Sequence, residues 1–260
     1  MIHQLLKQAA KRTFLYELIQ NRRLSRPLTQ WTEQDQKMLN FYRQFIKPND
    51  ICFDIGANLG SRTKVFLKLD AVVVAVEPQD ICMKVLKKFF GKNKSVTLIQ
   101  KALGEKEGSA EMLVSEAHTL SSLSEQWVTA VRQSGRFASF SWNKVQSVEM
   151  TKLDNLIQTY GIPSFIKIDV EGYEYPVLKG LSKPVQTISI EFANEYIEST
   201  IKCIIYLSSL GNITGNYSLS ESMILALQDW RDSGELIDIL KEQARNSPLG
   251  SGDVYIKFEK

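Results

Sequence analysis

The chain has 260 residues, 43% hydrophobic and 23% charged, with a formal net charge of +3 at pH 7. That length suits one enlarged globular domain with a full core, and the charge is too small to imply nucleic acid as a partner. No apolar run approaches the roughly 20 residues that span a bilayer. The start has no apolar segment with a small-residue cleavage site, so the expected location is the cytoplasm. Cys52, Cys82 and Cys203 are odd in number and far apart, and the two histidines are His3 and His118. The cysteines fit reduced core thiols better than a disulfide frame or a zinc site, and two histidines exclude a His-rich metal site.

Residues 1 to about 47 are expected to be helical and prefatory. Lys7, Lys11, Arg12, Arg22, Arg23 and Arg26 face only Glu17, and Ile2, Leu5, Leu6, Ala9, Phe14, Leu15, Leu18 and Ile19 lie between them. This pattern predicts an amphipathic helix or two. A docked helix with a solvated basic edge is the plain reading. A substrate cover, a homodimer contact and peripheral attachment to an anionic membrane are the others, and the sequence does not choose among them.

Pro48-Asn49-Asp50 turns the chain into a first strand over 51–55. Asp54-Ile-Gly56-Ala-Asn58-Leu-Gly60 follows, opening a predicted helix over 61–69. Strand, glycine turn and helix form a nucleoside-binding geometry, because Gly56 and Gly60 let backbone turn tightly and approach a ligand. In the G-x-G-x-x-G dinucleotide motif the helix N-terminus meets an anionic pyrophosphate. Asp54 would repel that group and would suit an ammonium, such as the amino-acid end of S-adenosylmethionine.

Ala71 to Val76 is an apolar run expected of a strand buried on both faces of a parallel sheet. It ends in Glu77-Pro78: Glu77 can accept from both ribose hydroxyls, and Pro78 stops the strand. A helix over 79–90 and a strand over 96–100 continue the alternation, which argues for a parallel sheet covered on both sides. Gly108 to Ser115 is read as a β-excursion. Residues 116 to about 146 lack clean periodicity but hold Trp127, Phe137, Phe140 and Trp142. An ordered irregular insert of this length is expected to be functional, here a substrate-side loop.

Regular alternation resumes with a strand at Val145–Met150, a helix from Leu153 to about Tyr160 and the strand Phe165–Ile168. A helix at Glu174–Leu181, a strand at Thr187–Ile190 and a helix from about Glu195 to Leu210 come next. Strands near Ile213–Tyr217 and Val254–Phe258 flank a helix around Glu235–Arg245. Asp54, Glu77, Asp169 and Glu191 all end predicted parallel strands, so their carboxylates are expected to converge on one crevice.

Phe53 to Gly60, Thr151-Lys-Leu-Asp154, Ile166-Lys-Ile-Asp-Val-Glu-Gly-Tyr-Glu-Tyr175 and Val177-Leu-Lys-Gly-Leu181 together resemble the FkbM family of methyltransferases. The match runs from about Pro48 to Glu191, with a weaker echo in Gly252-Asp-Val-Tyr255. The resemblance implies an α/β, Rossmann-like class I methyltransferase fold: a mostly parallel seven-stranded sheet with helices on both faces, over 48–260. It also implies S-adenosylmethionine as cofactor, and a hydroxyl of a sugar, glycan or polyketide-like metabolite as methyl acceptor. Carried over residue by residue, Asp54, Gly56, Asn58 and Gly60 line the methionine end, Glu77 and Pro78 the ribose, and Lys101-Ala102 the adenine, with Asp169 beside the methyl. Many related enzymes have an acid at the adenine position, which this chain lacks.

A hydroxyl acceptor must lose a proton, and Asp169, Glu171, Glu191 and His118 are the candidate bases, Asp169 being the best placed. The same three acids could instead ligate a divalent cation; no metal is the expectation. Two other functions fit the fold. An NAD(P)-dependent oxidoreductase calls for a glycine spacing this chain lacks, and a non-catalytic cofactor-binding protein would bind the nucleoside without turnover. A nucleic-acid base methyltransferase would carry Asn/Asp-Pro-Pro-aromatic where this chain has Asp169-Val-Glu-Gly172.

Overall fold

The computed structural model describes residues 28–259. The amphipathic segment read between Ile2 and Arg26, with the cover, dimer and membrane roles attached to it, lies outside the described residues. The first half of the described chain comprises α1 (Glu33–Tyr42), β1 (Ile51–Ile55), α2 (Ser61–Lys68), β2 (Val72–Val76), α3 (Asp80–Phe90) and β3 (Val96–Ile99). Then come β4 (Ala102–Leu103), β5 (Gly108–Val114), α4 (Glu125–Gln133), β6 (Lys144–Thr151), α5 (Leu153–Tyr160) and β7 (Phe165–Ile168). The last part is α6 (Glu174–Leu178), β8 (Thr187–Ala193), α7 (Ile197–Leu210), β9 (Ile213–Leu219), β10 (Arg231–Asp232), α8 (Ser233–Asn246) and β11 (Ser251–Phe258).

The main sheet runs β3-β2-β1-β7-β8-β11-β9-β10. Neighbours from β3 through β8 pair in parallel, and β11 runs antiparallel between β8 and β9. Strand order reverses between β1 and β7, which opens a crevice at their carboxyl ends. The seven expected strands are all present. An eighth, β10, is added at the edge, where only Arg231 and Asp232 pair with β9; two residues carry no periodicity to read. β5 and β6 pair antiparallel, with β4 on the other side of β6, as a separate three-stranded sheet.

Strand periodicity divides the core in two. Phe53, Ile55, Val74, Val76, Ile166, Ile168, Ile188, Ile190, Val254 and Ile256 face α5 to α8 and pack on Leu153, Leu156, Val177, Ile204, Leu207, Leu236 and Leu240. Cys52, Val73, Ala75, Phe165 and Tyr255 face α1 to α3. On this second face the same alternation brings Asp54, Lys167 and Ser189 into one row across β1, β7 and β8. Glu191 and Asp253 pair one step further along, across β8 and β11. Apolar chemistry fills the middle of the strands and polar chemistry their carboxyl ends.

α1 docks on this polar-ended face. Thr32 and Asp35 form a reciprocal capping box, and Asp35 also pairs with Lys64 of α2 at 2.6 Å. Tyr42 is fully buried, with its ring 5.1 Å from Phe66 and 5.6 Å from Phe165. Burying Met38, Leu39 and Phe41 contributes roughly 1.5–3 kcal/mol for each side chain.

The insert is more ordered than its sequence suggests. A 3₁₀ turn at His118–Leu120 precedes α4, which Ser124 caps by accepting from the Trp127 N–H. Leu120, Trp127, Val128 and Val131 form a small core of their own, with Phe137 and Trp142 against it. Trp127, 3% exposed, serves packing, while His118, Thr119, Ser121, Ser122 and Leu123 of the same insert line the cavity described below. The apolar stripe of α4 is too short to stand out among the polar residues around it.

Candidate active site

A cavity of about 750 Å³ opens at the carboxyl ends of β1, β2, β7 and β8, within the roughly 300–1,000 Å³ usual for small-molecule sites. Asp54, Gly56, Asn58, Glu77, Pro78, Lys101, Ala102, His118, Asp169, Glu171 and Glu191 all line it. Gly60 does not. It sits behind the turn at the start of α2, against Leu86 and Phe90.

On the β1–β2 side the backbone sets the geometry. Gly56 has φ +77°, and a Cβ there would collide with the carbonyl oxygen of Asp169, so glycine is the residue that lets β1 and β7 close on each other. Glu77 is 2% exposed. Its Oε2 accepts from the Asn58 N–H and its Oε1 from the Gln79 N–H, both at 2.8 Å. Burial pushes its carboxyl up to about 7 against those two bonds. Asp54 lies one residue inside the end of β1, 1% exposed, and accepts from the Thr63 hydroxyl at 2.5 Å. Burial raises its carboxyl too.

The insert is fastened over this half by its own backbone. The His118 carbonyl accepts from Gln79 Nε2 at 2.9 Å and from Asn58 Nδ2 at 3.4 Å. The Ser122 hydroxyl donates to the Glu171 carbonyl at 2.6 Å, and Trp127 lies so close over Gly172, φ +85°, that no side chain fits there. The His118 ring is half-buried, and its Nδ1 has no partner among the described residues. Desolvation lowers its pKa and keeps the ring neutral.

The β7–β8 side is built from charge. Asp169, Glu171 and Glu191 each present an oxygen within 4.8 Å of the others, close enough for one cation or for shared protons. A buried ammonium already serves them. Lys167, 1% exposed, lies 3.2 Å from Asp169 Oδ2 and 2.7 Å from Asp253 Oδ1. Burial would raise Asp169, but the Lys167 charge and a hydrogen bond from Glu191 outweigh it and hold the carboxyl below its ordinary range. Burial and then the Asp169 charge push Glu171 and Glu191 well up, so they carry the protons. Glu174 accepts from the Val170 and Gly172 N–H groups and fixes the turn, with burial pushing it up to about 7.

The strand-end logic found the carboxylates but passed over Lys167, Arg62, Gln79, Tyr173 and Glu221. A lysine within the apolar run Phe165-Ile-Lys-Ile was a legible signal, since a buried lysine needs a partner. Arg62 and Glu221 meet at 2.8 Å across 159 residues of sequence, a pairing with no local signature.

The residues suit a nucleoside with an amino-acid tail. Gly56 leaves backbone bare at the cavity, and each Glu77 oxygen, bonded once, retains a lone pair for a ribose hydroxyl. The buried Oε1 of Gln79 has no partner among the described residues and lines the same space.

Solved structures similar to this chain include a precorrin-6y C5,15-methyltransferase from Geobacter metallireducens GS-15. The identity is 11%, the TM-score 0.45, and the match covers 86% of this chain and 87% of that one. An rRNA methylase from Streptococcus thermophilus shares 9% identity at TM-score 0.46, over 85% of this chain and 94% of its own. A TehB-like SAM-dependent methyltransferase from Corynebacterium glutamicum shares 10% at TM-score 0.41, over 86% and 88%. No curated protein matches the sequence. The model of the methyltransferase FkbM domain matches residues 54–243, past the Glu191 limit of the motifs and through most of α8. With that match over well more than half its length, the chain belongs to the FkbM family of S-adenosylmethionine-dependent methyltransferases.

Proposed function

We propose that this methyltransferase acts on a hydroxyl group of a neutral, polyhydroxylated acceptor such as a sugar, a glycan or a polyketide-like metabolite, with Asp169 as general base. S-adenosylmethionine, when bound, supplies an electrophilic methyl on a sulfonium whose departure leaves a neutral thioether. Asp54, Gly56, Asn58, Glu77, Pro78 and Gln79 would hold it, with Lys101 and Ala102 at the adenine end. The chain's own task is then to orient the acceptor and to take one proton from it.

The observation that carries the reading is the contrast within the carboxylate cluster. Asp169, beside the Lys167 ammonium at 3.2 Å, favours its charged form and can accept a proton. Glu171 and Glu191, each with an oxygen within 4.8 Å of it, favour their neutral forms, the Glu191 proton bonding Asp169 and the Glu171 proton left for a neighbouring hydroxyl. Such a set matches a vicinal diol. Among the described residues the cations that line the cavity are engaged, Arg62 by Glu221 and Lys101 by Glu149, so none of these offers an anionic acceptor a free counter-charge. A second base is His118, whose neutral ring and unpartnered Nδ1 line the same cavity.

The test is transfer of a labelled methyl to a panel of saccharide and polyketide hydroxyls, with wild type, Asp169→Asn and His118→Ala in parallel. The expected result is transfer to a hydroxyl, abolished in the first variant and largely kept in the second. Transfer solely to amines or nucleic acid would overturn the reading.

A further inference from the structure

We propose that Lys167 is a positioning residue, its buried ammonium clamped between Asp253 and Asp169 so that the Asp169 carboxylate is fixed at the cavity as the charged member of the cluster. The inference rests on the reading of Asp169 as the base. Lys167 projects from β7, between β1 and β8, into the polar row at the strand ends, where burial leaves it no water to bond. Of its two partners, Asp253 is 4% exposed, also accepts from the Tyr255 hydroxyl at 3.3 Å, and belongs to the antiparallel strand β11. Asp169 is the partner that reaches the cavity, with about a third of its side chain exposed. The ammonium is thus anchored from behind by Asp253 and presents its remaining charge forward.

Without Lys167, Asp169 would face mostly acids. Glu191 approaches from β8, Glu171 from the turn that follows β7, Glu174 from the start of α6, Asp54 from β1 and Asp253 from β11. Among the described residues the other groups acting on this region include Arg62 of α2, bound to Glu221 at 2.8 Å, the Tyr42 hydroxyl of α1, and Arg136, paired with Glu195 at 3.2 Å, whose charge bears on Glu171. A proton shared among like charges settles on whichever acid lacks a cation. Lys167 decides that it is not Asp169.

The experiment is carboxyl-carbon NMR titration of the full chain with labelled aspartate, the Asp169 signal identified by its loss in Asp169→Asn. In wild type the Asp169 midpoint is expected below the ordinary carboxylate range. In Lys167→Met it should rise by at least one pH unit, a tenfold loss of the charged form's advantage, and in Lys167→Arg it should stay low. Because Lys167→Met strands Asp253, the double variant Lys167→Met/Asp253→Asn repeats the measurement without an orphaned carboxylate. A midpoint that stays put in either folded variant overturns the proposal. A readout in wild type alone guards against variants that do not fold. The Lys167 ammonium, shielded from exchange by burial, should shift with the same midpoint as Asp169, and an ammonium blind to that titration also overturns the proposal. If Asp169→Asn still transfers methyl at the wild-type rate, the base assignment fails instead, whatever the NMR shows.

Discussion

The two halves of the cavity hold their carboxylates by different means. At the β1–β2 end, Glu77 is held by two backbone N–H groups and Asp54 by a hydroxyl. At the β7–β8 end, Asp169 is held by a buried ammonium and by the acids around it. Neutral donors fix a side chain's direction but leave its proton to the surroundings, so Glu77 sits up at about 7. A full positive charge fixes direction and proton together. The first half is suited to binding hydroxyls in a set orientation, the second to moving a proton.

Substitutions separate these roles. The largest effect is expected at Asp169: Asp169→Asn should lower kcat by about 10²–10⁴-fold, the usual worth of a general base, with S-adenosylmethionine affinity changed by less than about threefold in calorimetry. An equal loss in both would mean that Asp169 serves binding. Gly56→Ala should cost about 3 kcal/mol or more in urea unfolding, through the clash with the Asp169 carbonyl and a φ of +77°. A stable Gly56→Ala protein with normal cofactor affinity would contradict the close approach of β1 and β7.

Glu77→Ala comes next, with an expected loss of about 2 kcal/mol in S-adenosylmethionine affinity, roughly thirtyfold; unchanged binding would remove the ribose role. The pH dependence sharpens the same point. Glu77 and Glu174 have folded-state values of about 7, above the ordinary 4.5. Both therefore take up a proton on folding between those values. The stabilisation this gives the cofactor-free chain is complete below about 4.5 and is lost as pH rises through about 7, on the order of 3 kcal/mol for each group. Cofactor affinity should run the other way and strengthen as pH rises through about 7, because the charged Glu77 is the better acceptor. Thermal melts with and without cofactor between pH 5 and 8 would test both slopes, and parallel slopes would refute the assignment. The smallest effect is expected for Glu221→Gln, which loosens the pair with Arg62 across a largely exposed carboxylate. It should cost about 0.5 kcal/mol of stability.

Most of the scaffold was legible because its signals are local. The run Val72–Val76, the glycine turn after β1 and the carboxylates following the strands each announce themselves within a few residues, and sheet periodicity then dictates which face they share. The insert was less legible. Its helix carries Trp127, Val128 and Val131 in a stretch too short and too polar-flanked for a period to emerge, so a packed helix was read as part of an irregular loop. His118 was found as a residue type, but the use of its carbonyl by Asn58 and Gln79 was not, since a backbone acceptor leaves no mark in a sequence.

Local patterns of residues set the alternation of strands and helices, the glycine that lets two strands meet, and the residue types that can hold a sulfonium nucleoside. Which acid keeps its charge follows from the folded arrangement. Protonation among Asp169, Glu171 and Glu191 depends on the distance to one ammonium and on the water each has lost. Lys167 meets Asp253 across 86 positions of chain, through a strand that enters the sheet last and runs against its neighbours. Charge and desolvation act through space, and no linear pattern encodes that distance.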